Sequence, residues 1–471
     1  MVVSYNLLQS PAIVGAGIGG ASSAFFLNAL LENEGQIDVF ERSDIGGRLA
    51  TTVINGQEYE TGGSIIHPRN RYLVNFTRDL GLRERERPDG RLGIFDGETM
   101  VFDGSSHTLM MVAQLVWHYG WDVFNIQNYV KDILKDFSKI YEHQENGYSF
   151  TTVEKLLSSM NPSFLDKMKH STYEEFKEHG YSNSFIEQLV RGGLRSNYGQ
   201  NDDIQAFVGA VSMAGVEPGL WSVHGGNKLI PQKLLHNTET VHIIKSDIKQ
   251  ITLQSDGIYS LTDSSDNSVN YDYVIIATPL NDDISKIEFQ NFPSSMYSFK
   301  GNFHRTVATF VTGFPNASRF GYADVQEFPE EMFTSCKDLF FNSIGRQSPV
   351  DYVTVDHEKY MSSRPVYKVF SRGPLSPENI NELFTQIDDI TIVDWAGAYP
   401  SYSSNDGDLP PFQLHKGMFY VNAIESAASA METLAIGGRN TALLLFNQFS
   451  GRSTHIDPDL TGTQTSSKTE L

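Results

Sequence analysis

Apolar residues recur along this chain in two rhythms. The unbroken triplet Ala12-Ile13-Val14 and the run Ile37-Asp38-Val39-Phe40 have the length and β-branched content of short buried strands. Between them, residues 21–32 carry the apolar content of a helix, with stop signals at Asn33 and Gly35. A second, amphipathic helix is predicted over 71–82, with Leu73, Phe76 and Leu80 on one face and Gly81 closing it. From about 105 to 219 helical periodicity dominates, and Thr172 to Glu175 has the spacing of a capping box. That segment is rich in Trp, Tyr, Phe and Met, which read first as core. Residues 241–277 break into short β runs with turns at 255–257 and 263–267, and the last run is a buried strand stopped at Pro279. Further strands are predicted at 306–312, 352–356 and 417–425, and a helix over 429–446 broken by Gly437-Gly438. The Ser/Thr-rich tail, 451–471, is predicted to be disordered.

These elements predict an α/β chain with a Rossmann-like nucleotide-binding domain and an inserted α+β substrate domain. The nucleotide-binding part is assigned to residues 10–104, 220–290 and 412–450, and the insertion to 105–219 (helical) and 291–411. The length, 471 residues, suits two domains, and 40% hydrophobic with 12% aromatic residues can bury a sizeable core. A formal charge of −21 argues against nucleic acid or an anionic membrane surface as partner. The single cysteine, Cys336, permits no intramolecular disulfide and no Cys-based metal cluster, and it reads as a structural thiol. No metal site and no transmembrane segment are expected, because the apolar stretch 11–31 is punctuated by glycines. The first ten residues lack the pattern of a secretion signal. Asn75 and Asn316 stand in glycosylation triplets.

Candidate chemistry begins after the first strand. Gly15, Gly17 and Gly20 have G-x-G-x-x-G spacing: the first allows a tight turn, the second a close approach to a pyrophosphate, the third close helix packing. The helix behind them aims its N-terminal N–H groups at the anion. Glu41 falls about twenty residues beyond, where a carboxylate accepts from ribose hydroxyls and repels a 2′-phosphate, disfavouring NADP. Two further stretches, 44–48 with Gly46-Gly47-Arg48 and 60–68 with Gly62-Gly63-Ser64, exceed what a simple dehydrogenase needs.

Gly46-Gly47-Arg48 after the second strand resembles flavoproteins of the glutathione-reductase and amine-oxidase type, in which the arginine contacts phosphate or flavin. The combination GAGIGG, FER followed by GGRLAT, GQEYETGGSIIHP, FVGAVSMAG, LWSVHGGNKL, VIIATPL and NAIESAASAME, spanning about residues 11–446, is similar to the prenylcysteine oxidase (prenylcysteine lyase) family of flavin thioether oxidases. The resemblance implies non-covalent FAD, a farnesyl- or geranylgeranyl-cysteine substrate, O2 as acceptor, and cysteine, a prenyl aldehyde and hydrogen peroxide as products. It also implies a lysosomal setting.

It places Gly15, Gly17, Gly20, Glu41, Arg42, Gly47, Arg48, Gly63, Ser64, Thr278, Asn422 and Glu425 at the cofactor. His67, His224 and His304 are the candidates for a catalytic role, His67 above all for positioning a water; Tyr399 and Tyr402 are candidates for an aromatic wall. A long apolar slot is expected between the helical insertion and the strands of 300–400. Two rivals stay open: a flavin amine or polyamine oxidase, and a prenyl-binding escort protein without redox chemistry. The oligomeric state is open as well.

Overall fold

In the computed structural model the strand Ala12–Val14 lies between Ile37–Glu41 and Val274–Ile276, parallel to both, with Ile13 opposite Val39 and Ile275. Residues 11–88, 90–215, 219–293, 301–404 and 409–460 are described. Met418–Tyr420 and Gln413–His415 extend this sheet on one side and Val241–Lys245 on the other, giving six strands. Its three central strands are buried on both faces, which is why they read as continuous apolar runs rather than alternations.

The first helix, Ile18–Leu30, begins three residues earlier than the pattern predicts. Gly19 and Gly20 belong to it, and a Cβ on Gly20 would stand 1.9 Å from the Gly15 carbonyl oxygen. Across from it runs the last helix, Met431–Phe449, which is continuous through Gly437 and Gly438 rather than broken there. A Cβ on Gly438 would lie 2.7 Å from the Gly19 carbonyl oxygen, so this glycine serves helix-to-helix approach. Residues 417–425 divide into a short strand and the 3-10 turn Val421–Ser426 in place of one strand.

A second sheet of seven strands forms the other wall. Its order is Phe384–Pro400, Phe303–Pro315, Val366–Ser371, Ser343–Arg346, Glu331–Thr334, Leu92–Phe95 and Met100–Asp103. Residues 92–103, expected with the nucleotide-binding part, therefore pair into the other sheet. The hairpins of 248–271, also expected there, form a separate four-stranded sheet with Glu288–Gln290. Residues 352–356 are not a strand: Thr354–Asp356 is a 3-10 turn leading into the helix His357–Ser362, and its first N–H is capped by Glu86.

Helices run from Thr108 to Ala214, and one of them, Arg191–Tyr198, packs on the strand Glu331–Thr334. Their capping box is one residue earlier than predicted, at Ser171 and Glu174, because the Thr172 hydroxyl turns inward to the Ile204 carbonyl. A π-helical turn, Phe185–Val190, feeds the helix Arg191–Tyr198. Arg195 on that helix is fully buried and donates to Thr334 Oγ1 (2.9 Å) and Phe341 O (2.8 Å), fastening helix to sheet. The start of the tail is also ordered: Ser453–His455 makes a turn, and Asp457 accepts from Thr151 and Lys155. The remainder of the predicted disordered tail lies outside the described residues. Among the described residues no helix is long and apolar enough to cross a membrane.

Candidate active site

One cavity of about 1990 Å³ joins the glycine turn to the space between the helices and the seven-stranded sheet. Single-ligand pockets usually occupy roughly 300–1,000 Å³, so this one has room for two molecules side by side. Of the predicted cofactor residues, Gly15, Gly17, Glu41, Arg42, Gly47, Arg48, Gly63, Ser64, Thr278 and Asn422 all line it. Gly20 and Glu425 do not.

The glycines separate by cause. Gly15, at φ +108°, is fixed by the protein itself, since a Cβ there would meet the Ala277 carbonyl oxygen at 2.7 Å. Gly17 is different. Its backbone is extended, and a Cβ would meet no protein atom closer than 3.9 Å. Nothing in the protein demands glycine at 17, and the space a side chain would fill is the cavity. No side chain caps the helix that starts at Ile18, so its first N–H groups are left for an anion. Residues 430–434, at the start of the last helix, line the same cavity.

Glu41 is held ready rather than free to swing. Its Oε2 accepts from the Ala16 N–H at 2.8 Å, and its Oε1 from the Ser43 N–H (2.8 Å) and hydroxyl (3.0 Å). Arg48 reaches across the cavity, donating to Ala398 O at 2.7 Å and to Glu425 at 2.5 Å. Glu425 stands behind it, 1% exposed, and also accepts from Ser429 Oγ and Asn422 Nδ2. Asn422 borders the cavity, and its buried Oδ1 has no partner in the protein. An open glycine cradle, a placed carboxylate, a second helix start and an orphaned acceptor fit a dinucleotide with further hydrogen-bonding groups.

The histidines part company. His67 lines the cavity, and its Nδ1 accepts from the Arg69 N–H at 3.0 Å. With Nδ1 accepting, a neutral ring carries its proton on Nε2. His224 does not reach the cavity; it meets Arg83 at 2.8 Å because the chain turns at Gly225 and Gly226 directly after it. His304 also faces away. Its Nε2 has no partner and packs beside Gly199, and burial, then the Arg372 charge, depresses its pKa to about 4. Tyr399 borders the cavity, whereas Tyr402 props it from behind through Tyr198, whose ring is 5.1 Å from Tyr399 and 5.8 Å from Tyr402. Cys336 lies beside Gly97, away from the cavity.

The apolar end draws on both expected sources: Met111, Leu134 and Phe207 from helices, Met332, Phe333 and Phe370 from the sheet. Glu60, Arg85, Arg87, Lys368 and Glu432 also border the cavity, and the sequence reading missed them. A signal existed for two. In Arg83-Glu84-Arg85-Glu86-Arg87 a period of two puts the arginines on one face and the glutamates on the other.

Solved structures share this architecture. Cyclohexylamine oxidase from Brevibacterium oxydans matches with a TM-score of 0.61 at 14% identity, over 94% of this chain and 99% of that one. A fatty acid isomerase from P. acnes matches at 0.62 and 13%, over 93% and 98%. Such distant likeness speaks to fold alone. Residues 13–80 match the model of the NAD(P)-binding Rossmann-like domain. Fold and site define a dinucleotide-binding oxidoreductase, and its cofactor is FAD.

Residues 102–458 match the prenylcysteine lyase family model. Prenylcysteine oxidase 1 of Bos taurus is 39% identical over 95% of this chain and 90% of its own, and that of Homo sapiens 38% over 98% and 93%. The chain belongs to the prenylcysteine lyase family.

Proposed function

We propose that this chain is an FAD-dependent thioether oxidase that converts a prenylcysteine, water and O2 into cysteine, a prenyl aldehyde and hydrogen peroxide. The observation that carries this reading is one cavity in which the dinucleotide cradle is continuous with space bordered by apolar side chains of the helices and the sheet, Met111, Leu134, Phe207, Met332, Phe333 and Phe370. Bound in the cradle, FAD supplies a two-electron acceptor for hydride, which O2 later regenerates.

The chain's own residues do the rest. The apolar chamber holds the prenyl group, each buried CH2 adding about 0.8 kcal/mol, and keeps bulk water from the reacting carbon. That carbon is both allylic and bonded to sulfur, so the positive charge left by hydride loss is shared by both neighbours. His67, which borders the cavity, orients the water that adds there; the hemithioacetal then releases the thiol and leaves the aldehyde. In this proposal the cofactor is held by the residues lining the cradle, with Gly20 and Glu425 acting behind them. A degradative compartment such as the lysosome, where prenylated proteins are reduced to single amino acids, is the setting that supplies this substrate.

Anaerobic mixing of the holoprotein with farnesylcysteine tests the reading. The flavin band near about 450 nm should bleach and return with one peroxide on admitting air. Bleaching by spermine but not by farnesylcysteine would transfer the site to amines. A colourless protein that binds the lipid would make it an escort.

A further inference from the structure

We propose that Arg85, Lys368 and Glu60, with Arg87 beside them, form the pole of the chamber that takes the zwitterionic amino-acid head of the substrate, the cations binding its α-carboxylate and Glu60 its ammonium. This rests on the thioether-oxidase reading above and adds the residues that recognise the polar end.

Arg85 is 8% exposed and borders the cavity. Its Nη2 donates to Ser222 Oγ at 2.9 Å, while its Nε and Nη1 have no partner in the protein. A buried guanidinium with two empty nitrogens costs free energy unless an acceptor arrives. Arg87 donates to the same Ser222 oxygen at 3.1 Å, so two like charges converge on one hydroxyl. An anion at that point relieves both desolvation and repulsion.

Lys368 comes from the facing sheet. It is 7% exposed, and its ammonium donates to the Glu60 carbonyl at 3.3 Å and lies 4.8 Å from the Phe370 ring centre. Burial lowers its pKa to about 8, which leaves it a cation at neutral and acidic pH.

Glu60 supplies the opposite sign. It is 3% exposed; Oε1 accepts from the Asn227 N–H at 2.8 Å, and Oε2 has no partner. Arg85, Lys368 and Glu60 thus border one cavity, and Arg85 Nε and Nη1 and Glu60 Oε2 find no hydrogen-bond partner in the protein. An α-amino acid carries both complements, one carbon apart. Three cations against Glu60 give this pole a positive bias, with Glu331 at the solvent edge nearby. The bias suits a carboxylate and opposes a polyamine. It also sets the direction of the ligand: charged head at Arg85, hydrocarbon tail toward the helices.

The test compares farnesylcysteine, its methyl ester and its decarboxylated amine on the wild-type holoprotein, by anaerobic flavin bleaching and by steady-state kinetics. Loss of the carboxylate should raise KM roughly tenfold to a hundredfold with kcat little changed, the effect of one or two charge-assisted hydrogen bonds. Arg85→Gln should raise KM by a similar factor for the acid and hardly at all for the ester, with flavin content per chain unchanged. Arg85→Lys should recover part of the loss.

Equal KM for acid and ester on the wild type would overturn the proposal while leaving the thioether-oxidase reading intact, and this comparison needs no variant to fold. Loss of bound flavin in Arg85→Gln would assign the arginine to the cofactor instead. No bleaching of the wild type by any of the three compounds would overturn both readings.

Discussion

Arg48 donates to Glu425 at 2.5 Å, tying the loop after the second strand to the turn before the last helix, across 377 residues of chain. Glu425 is held by three donors at once, from Arg48, Asn422 and Ser429. Removing one member of a buried pair leaves the other charge uncompensated, at a cost of about 3–5 kcal/mol. Glu425→Gln should therefore lower stability toward urea by about that order and release flavin on gel filtration. A variant that keeps its flavin and unfolds like the wild type would show the pair to be incidental.

The two kinds of glycine in the turn should respond differently. Gly17→Ala meets no protein atom closer than 3.9 Å, so the apoprotein should unfold at the wild-type midpoint while its yellow colour is lost. Gly20→Ala drives a methyl against the Gly15 carbonyl and should destabilise the fold itself by about 1–3 kcal/mol or more. Comparing flavin absorbance with the denaturation midpoint separates the two.

His304 is neutral when folded, its pKa held at about 4 against an ordinary 6.5. Between those values the unfolded chain binds the extra proton, so this residue's share of stability is full above pH 6.5 and is lost as pH falls toward 4. His304→Gln should flatten the stability profile over that interval without altering turnover at pH 7. An unchanged slope would place the acid sensitivity elsewhere.

Glu432 acts with the opposite sign. Buried at the start of the last helix, it accepts from the Tyr72 and Leu73 N–H groups and from the Tyr141 hydroxyl, and burial still pushes its pKa up to about 7. The folded chain holds a proton here that the unfolded chain releases at 4.5, so this contribution is full below pH 4.5 and fades as pH rises through 7. Glu432→Gln should remove that decline, read as denaturant midpoints across pH 4.5–7.5.

What could be read along the chain was mostly what is local. The triplet 12–14, the glycine spacing and Glu41 are set within a few dozen residues, and each lies on the cavity or directly under it. The misreadings share one origin. Gly437-Gly438 looks like a helix break until the first helix is laid against it, and Glu425 looks like a ligand until Arg48 arrives from the other end of the chain. His224 and His304 bear the right chemistry and face the wrong way, which no single sequence states. Arg85 and Arg87 were hidden for another reason: Arg and Glu in alternation look like solvated surface unless the period of two is taken seriously.

The contact between Gly438 and the backbone of Gly19 also sets a timetable. The ribosome delivers the nucleotide-gripping turn first and its covering helix last, about 400 residues later, which at ordinary synthesis rates is roughly 20–80 s. During that interval the first helix has no partner for the face that Gly438 will occupy, and the cradle lacks its far wall. Cofactor capture is thus a late event in the making of each molecule, and the growing chain needs shelter for an uncovered strand-turn-helix before it needs FAD.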